Sequence, residues 1–425
     1  MRMEQKAEGM LSPYRVLDLT NEMGFLCGKV LADLGADVIK IEKPGGDPAR
    51  SIGPFYHDIP DPEKSLYWFA FNTSKRGITL DIETGDGQDI FKRLVKDADV
   101  VLESFAPGYM DKLDLGYSVL SQINPRLIMT SITGFGQSGP FKDYKAPNIV
   151  LWALSGNAYI HGDPDRAPLT PNFPICYLFG AMQGAIGTLI ALYHCAATGQ
   201  GQQVDVPTEL YSVWPTGPEV HGLWDMERRI FKREGRRMAR AQTDISTPLM
   251  YECKDGDVNF FPFVGPGMIK SVIALTEWIK GEGMADETLK QVDWNTFDWN
   301  YVTQDYVDEI TDNFARFFRT RTKAELFEEA VKRGIMLYPS STPKDLLEMP
   351  QLAAQLATRE YWAQVEHAEL NTTITYPGAF VKTAEAPYRI YCRAPLIGEH
   401  NVEVYTKELG LSIEELVTLK QSRVI

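Results

Sequence analysis

Short, mostly apolar runs punctuate the first third of the chain. They are Tyr14-Arg15-Val16-Leu17-Asp18-Leu19, Val38-Ile39-Lys40-Ile41, Asp99-Val100-Val101-Leu102 and Leu127-Ile128-Met129-Thr130. Runs of this length bounded by polar, Gly or Pro positions read as strands buried on both faces. Between the first two, Leu26, Val30, Leu31 and Leu34 recur at helix spacing, and Gly35 marks a stop. A Gly/Pro loop spans Pro44 to Gly53, and a second helical stretch covers Gly87–Lys96, just before the third strand. Strand and helix thus alternate, which predicts an α/β fold with a parallel sheet covered by helices, a Rossmann-like domain.

The pattern changes near Trp214 to charged and aromatic residues, as in Arg228-Arg229-Ile230-Phe231-Lys232-Arg233. Lys254-Asp255-Gly256-Asp257 reads as the turn of a hairpin. Helical spacing follows at Ile269–Ile279 and Thr303–Arg319, and Thr342–Leu356 reads as a helix entry. Near Gly334-Ile335-Met336 the early texture returns. The expected organisation is a large domain from both chain ends, 1–225 and 340–425, with a small α+β domain, 226–339, between them. No GxGxxG follows a strand, and neither a P-loop nor HExxH occurs, so the motifs support neither a dinucleotide nor a zinc hydrolase.

Composition narrows the function. The 425 residues carry a formal net charge of −14, which argues against nucleic acid as a partner, since that binding rests on Lys and Arg neutralising phosphates. The five cysteines, Cys27, Cys176, Cys195, Cys253 and Cys392, form no CxxC pair, and their scatter fits a reducing compartment better than a disulfide framework. The start, MRMEQKAEGM, lacks the apolar core of a secretory signal, and the most apolar stretch, Ala185–Tyr193, is about half of a bilayer span. The expectation is a soluble, cytoplasmic chain with no membrane partner and no metal.

A set of motifs in order carries more. Arg15-Val16-Leu17-Asp18-Leu19-Thr20 is followed by Leu34-Gly35-Ala36-Asp37-Val38-Ile39-Lys40-Ile41-Glu42 and Gly46-Asp47-Pro48-Ala49-Arg50. Then come Lys75-Arg76 with Leu80-Asp81, Asp99 to Gly108, Asn124-Pro125-Arg126-Leu127-Ile128 and Gly134-Phe135-Gly136-Gln137-Ser138-Gly139-Pro140. Thr198-Gly199-Gln200-Gly201-Gln202 and Arg393-Ala394-Pro395-Leu396-Ile397-Gly398-Glu399-His400 complete the set. Together these resemble the family III CoA-transferases, over nearly the whole chain. The resemblance implies an interlocked dimer and coenzyme A or acyl-CoA as substrate.

The resemblance also exposes a gap. Family transferases carry a catalytic Asp at the start of the helix leading into the TGxGQ turn, and that position here is Tyr177. The register follows from Gly180, Gly184, Gly187 and Ala191, a small-residue stripe at helix spacing. A carboxylate can attack an acyl-CoA and then hold CoA as an enzyme thioester. A phenol, with an ordinary pKa of about 10, is protonated at neutral pH and has no carbonyl on which to carry CoA. The neighbouring Cys176 has the same lack, and Asp163 and Asp165 sit in what reads as a turn. The family's racemases use a His and an Asp in a motif that here reads Pro147-Asn148-Ile149, so that chemistry is missing as well. No catalytic residue is assigned.

Carried over by position, the family's nucleotide and pantetheine contacts fall near Lys43, Arg50, Leu80, Phe105 and Lys112, while Lys75, Arg76 and Lys145 are phosphate candidates on charge alone. Glu83, Ser104 and Met23 depart from the family pattern. A pocket of Met23, Trp152, Tyr177 and Phe179 would be apolar and aromatic, suited to a bulky or aromatic acid. The expected function is an Asp-lacking subunit that moves CoA from a donor such as succinyl-CoA, its partner being a related subunit with the catalytic Asp. The alternatives are a self-sufficient transferase with a carboxylate elsewhere, and a CoA-binding regulatory protein.

Overall fold

In the computed structural model the described residues are 9–213, 224–226, 228–230, 232–239, 245–262, 268–298 and 301–425. Most of the N-terminal segment, the texture change at Trp214 and Phe231 lie outside them. Two compact units emerge. One comprises Met1–Asn157, Pro171–Thr216 and Arg359–Ile425, and the other Ala158–Thr170 and Gly217–Thr358.

The first unit is built on six parallel strands: β1 (Arg15–Asp18), β2 (Asp37–Glu42), β3 (Arg76–Thr79), β4 (Val100–Glu103), β5 (Ile128–Thr133) and β6 (Gln202–Pro207). Their order across the sheet is β3-β2-β1-β4-β5-β6. Alternate residues feed opposite faces, which is why the strands read as continuous apolar runs. Leu17, Ile39, Val101 and Met129 join a core with the Gly85–Val95, Tyr117–Ile123 and Ile413–Gln421 helices. Val16, Val38, Val100 and Ile128 join another with the Phe25–Asp33 and Ile175–Thr198 helices. Strands β3 and β6 are the edges. They are not evident as strands from hydrophobicity, because an edge strand needs less apolar surface and β6 alternates with polar residues.

The Ala185–Tyr193 run is the middle of the 24-residue Ile175–Thr198 helix. By length and composition that helix could cross a membrane, yet half of its apolar window is buried inside the protein, as in a core helix. Its stripe of Gly180, Gly184 and Gly187 lies against Thr208, Ile132 and Val204. Gly199 ends the helix in the left-handed conformation, with φ of 77°, and a Cβ on Gly201 would stand 2.0 Å from the Leu127 carbonyl oxygen. The TGxGQ spacing is therefore a helix stop followed by a backbone crossing.

In the second unit β9 (Met250–Cys253) and β10 (Gly256–Phe260) form the hairpin expected at Lys254–Asp257, and β11 (Leu337–Pro339) pairs with β10. The Ile269–Gly281 and Gln304–Phe318 helices close an aromatic core around Phe314, Phe317 and Trp278. The Pro343–Glu348 helix opens on a Thr342/Asp345 capping box. This unit takes in more chain than the expected 226–339. The 158–170 segment is tied to it by Gly235 N donating to Gly162 O at 3.1 Å, and Asp345 by its 2.5 Å ion pair with Lys323.

Candidate functional site

The sheet order reverses between β1 and β4. The connection leaving β1 carries a helix on one face, and that leaving β4 carries a helix on the other. A crevice at the carboxyl ends of such neighbouring strands is where open α/β sheets hold ligands. Here the two turns are tied together, because Asn21 N donates to Ser104 Oγ at 2.8 Å and Leu19 N donates to Leu102 O at 2.9 Å. Ser104 thus has a structural use.

In the turns that follow β2, β3 and β4 the residues expected to meet CoA come together in part. Phe105 stacks on Tyr109 at 4.7 Å between centroids. The Tyr109 hydroxyl donates to Glu83 at 2.5 Å, and Lys43 Nζ pairs with the same Glu83 oxygen at 2.9 Å. Glu83 therefore neutralises Lys43, but both side chains are about half exposed, so the pair is worth roughly 0–1 kcal/mol and a phosphate can displace it. Lys112 and Lys145 are exposed. The Leu80 side chain is buried in the core and offers only its backbone to the edge.

Two expected phosphate partners, Lys75 and Arg76, and one expected CoA contact, Arg50, have their charges used internally by the structure. Arg50 is 1% exposed and its guanidinium stacks on Trp68 at 3.8 Å. It meets Glu42 through two bonds of 2.6 and 2.8 Å, and also reaches Glu63 and the Pro395 carbonyl. Lys75 is likewise buried, and its ammonium donates to Asp18, Asn72 and the Phe25 carbonyl, which uses all three of its N–H groups. Arg76 is claimed by Asp37, Glu403 and Glu408. Removing such a cation from its partners for a ligand costs several kcal/mol per ion.

Tyr177 stands in the first turn of the Ile175–Thr198 helix and is buried, its hydroxyl donating to the Ala146 carbonyl at 3.1 Å. Burial, helped by the charge of Glu22, pushes this phenol up to about 12. Asn148 Oδ1 accepts from Cys176 N at 2.9 Å and so serves a free helix N–H. The Cys176 thiol is pushed up by burial, the inert condition for a cysteine. Trp152 is buried, whereas Met23 and Phe179 are part-exposed on segments around the same helix. Asp163 and Asp165 belong to the second unit, where Asp163 pairs with Arg166 at 3.8 Å.

Two carboxylates escape a reading of the sequence. Glu22, in the turn after β1, makes no hydrogen bond or ion pair among the described residues, and its charge raises Tyr67 as well as Tyr177. Burial, then Asp47, raises its own pKa. Glu103, the last residue of β4, is 4% exposed and borders a cavity of about 420 Å³ with Asp111, Tyr117, Gln137, Lys142 and Gln203. The one available signal is position, since Glu103 ends β4 and Glu22 lies in the turn that leaves β1, the two strands flanking the reversal. Among the described residues no group of three His, Cys, Asp or Glu side chains is placed to hold a metal ion.

The chain belongs to CoA-transferase family III, whose model matches residues 11–401. It is 34% identical over 394 residues to the succinyl-CoA:(R)-benzylsuccinate CoA-transferase subunit BbsE of Thauera aromatica, covering 92% of this chain and 93% of that one. A formyl-CoA:oxalate CoA-transferase of Streptomyces avermitilis is 32% identical, over 98% of this chain and 99% of its own. Among solved structures, a CaiB/BaiF family protein from Brucella suis superposes with a TM-score of 0.78 at 26% identity, covering 94% of this chain and 99% of that one.

Proposed function

We propose that this chain is the Asp-lacking subunit of a heteromeric family III CoA-transferase. It would move CoA from an acyl-CoA such as succinyl-CoA to a bulky or aromatic acid such as benzylsuccinate. The observation that carries the reading is Tyr177, a buried, protonated phenol where the chemistry needs a carboxylate. In that chemistry a carboxylate oxygen attacks the acyl carbon, the C–S bond breaks and CoA leaves as thiolate, giving a mixed anhydride. The thiolate then attacks the enzyme's carbonyl, expelling the donor acid and leaving an enzyme–CoA thioester. Tyr177 can do neither step at neutral pH. The likeness to a relative named as a subunit supports a partner that supplies the Asp, and interlocked dimers divide such labour readily. On this reading Lys43, Phe105, Lys112 and Lys145 hold CoA, and the Met23–Trp152–Tyr177–Phe179 surface faces the acid.

Glu22 favours a second reading, in which the chain works alone through that carboxylate. Intact mass after incubation with succinyl-CoA separates the two. The expected result is no covalent adduct, CoA retained reversibly, and a similar-sized relative co-purifying. An adduct that vanishes in Glu22→Gln would replace the first reading with the second. Lys43→Ala is expected to weaken CoA binding several-fold while shifting stability by less than about 1 kcal/mol, since the pair it breaks is exposed. Unchanged calorimetric affinity would move the phosphate site elsewhere.

A further inference from the structure

The turn that presents Phe105 is held from below by an acid. Glu103 Oε2 accepts the Phe105 N–H at 2.8 Å, two residues along the chain. The Ser131 hydroxyl, on neighbouring β5, donates to the same carboxylate, and Ser131 Oγ in turn accepts from Gln203 Nε2 at 3.3 Å. Gln203, Ser131, Glu103 and Phe105 thus form one chain of bonds from β6 to the CoA-facing turn. Both donors favour the ionised carboxylate, and a charged acceptor makes roughly twice the bond of a neutral one. Against ionisation stand burial and the charges of Asp111 on the Tyr109–Lys112 helix and Asp205 on β6. Tyr117 and Lys142 also line the adjoining cavity, which gives the proton a route to solvent. The balance leaves this acid titrating at about 7.

We infer that Glu103 is a positioning residue: its ionised carboxylate sets the Ser104–Gly108 turn for coenzyme A, so that CoA binding is linked to release of the Glu103 proton. The inference rests on the CoA-binding reading above. Glu103 touches no substrate and acts through the Phe105 backbone.

Calorimetry of CoA with the full chain, and its partner subunit where one co-purifies, tests this between pH 6 and 8. If only the ionised form is competent, the apparent Kd tightens by up to about tenfold over that range, following the competent fraction. Near pH 7 binding then releases protons, seen as a binding enthalpy that varies with the buffer. CoA's own phosphate monoester titrates near 6, so the readout is the difference in slope between wild type and Glu103→Gln. That variant keeps an acceptor for Phe105 N–H but cannot ionise. Its slope is expected to fall to the phosphate contribution alone, with weaker binding than wild type at pH 8. Ser131→Ala, which removes a donor and leaves Glu103, should move the wild-type midpoint upward by several tenths of a pH unit. Equal slopes in wild type and Glu103→Gln, or an unmoved midpoint in Ser131→Ala, would overturn the inference alone. No CoA binding by the wild-type chain at any pH would overturn the binding reading, and the inference with it.

Discussion

Asp18→Asn is expected to destabilise the protein by about 3–5 kcal/mol, the typical loss when one partner of a buried ion pair is removed. Asp18, Lys40 and Lys75 are all essentially unexposed beneath the carboxyl end of the sheet. One carboxylate oxygen meets Lys75 Nζ at 2.8 Å, and the other accepts from Thr20 N and Oγ1 at 2.9 and 2.6 Å and faces Lys40 Nζ at 3.5 Å. Burial works to raise this acid, but the two ammonium groups outweigh it and hold it down at about 2. Asn in its place leaves two cations facing each other in a medium that cannot screen them. Adding Lys75→Met to Asp18→Asn removes one of those cations, so the double variant should be more stable than the sum of the single losses predicts. Denaturant midpoints at unchanged slope measure both effects. A single-variant loss under 1 kcal/mol would mean that water reaches this cluster.

Glu103 provides the second large effect, with pH as the variable. Its folded pKa is raised from 4.5 to about 7, so the folded protein holds this proton more tightly than the unfolded chain does. The contribution to stability is therefore complete below pH 4.5 and is lost as pH climbs through about 7, in total roughly 3 kcal/mol. Glu103→Gln imitates the protonated state permanently. It should match wild type near pH 4.5 and exceed it by up to about 3 kcal/mol at pH 8, and a constant difference across that range would show that Glu103 does not titrate there. On the reading above, the wild-type chain gives up that stability at neutral pH for a turn ordered toward CoA.

The buried strands were legible because burial on both faces demands uninterrupted apolar residues, as in Val16-Leu17 and Val100-Val101-Leu102. The family was legible through its ordered motifs, and the small-residue stripe Gly180, Gly184 and Gly187 marked a helix face that meets Thr208, Ile132 and Val204 closely. What the sequence could not separate was a cation for a ligand from a cation for the fold. Arg50 and Lys43 both stand in family contact positions, yet one is stacked under Trp68 and the other reaches half into solvent. The distinction depends on partners such as Pro395, 345 residues from Arg50. The same holds for Glu22 and Glu103, whose interest arises from burial and from the groups folded around them, neither of which leaves a mark in a linear pattern.

That distant closure also has a consequence for how the molecule is made. Arg50 and Trp68 await the Pro395 carbonyl, Asp33 awaits Tyr388, and Asp81 N awaits the Val424 carbonyl. At roughly 5–20 residues per second, a ribosome needs tens of seconds to travel from the first of these to the last. Throughout that interval the strands of the first hundred residues are exposed without Val404, Tyr405 and Leu416, which complete their core. The core of the second unit, by contrast, is drawn from residues between Tyr251 and Leu337. Production of this chain should therefore depend on a chaperone holding its first half until the C-terminal segment emerges.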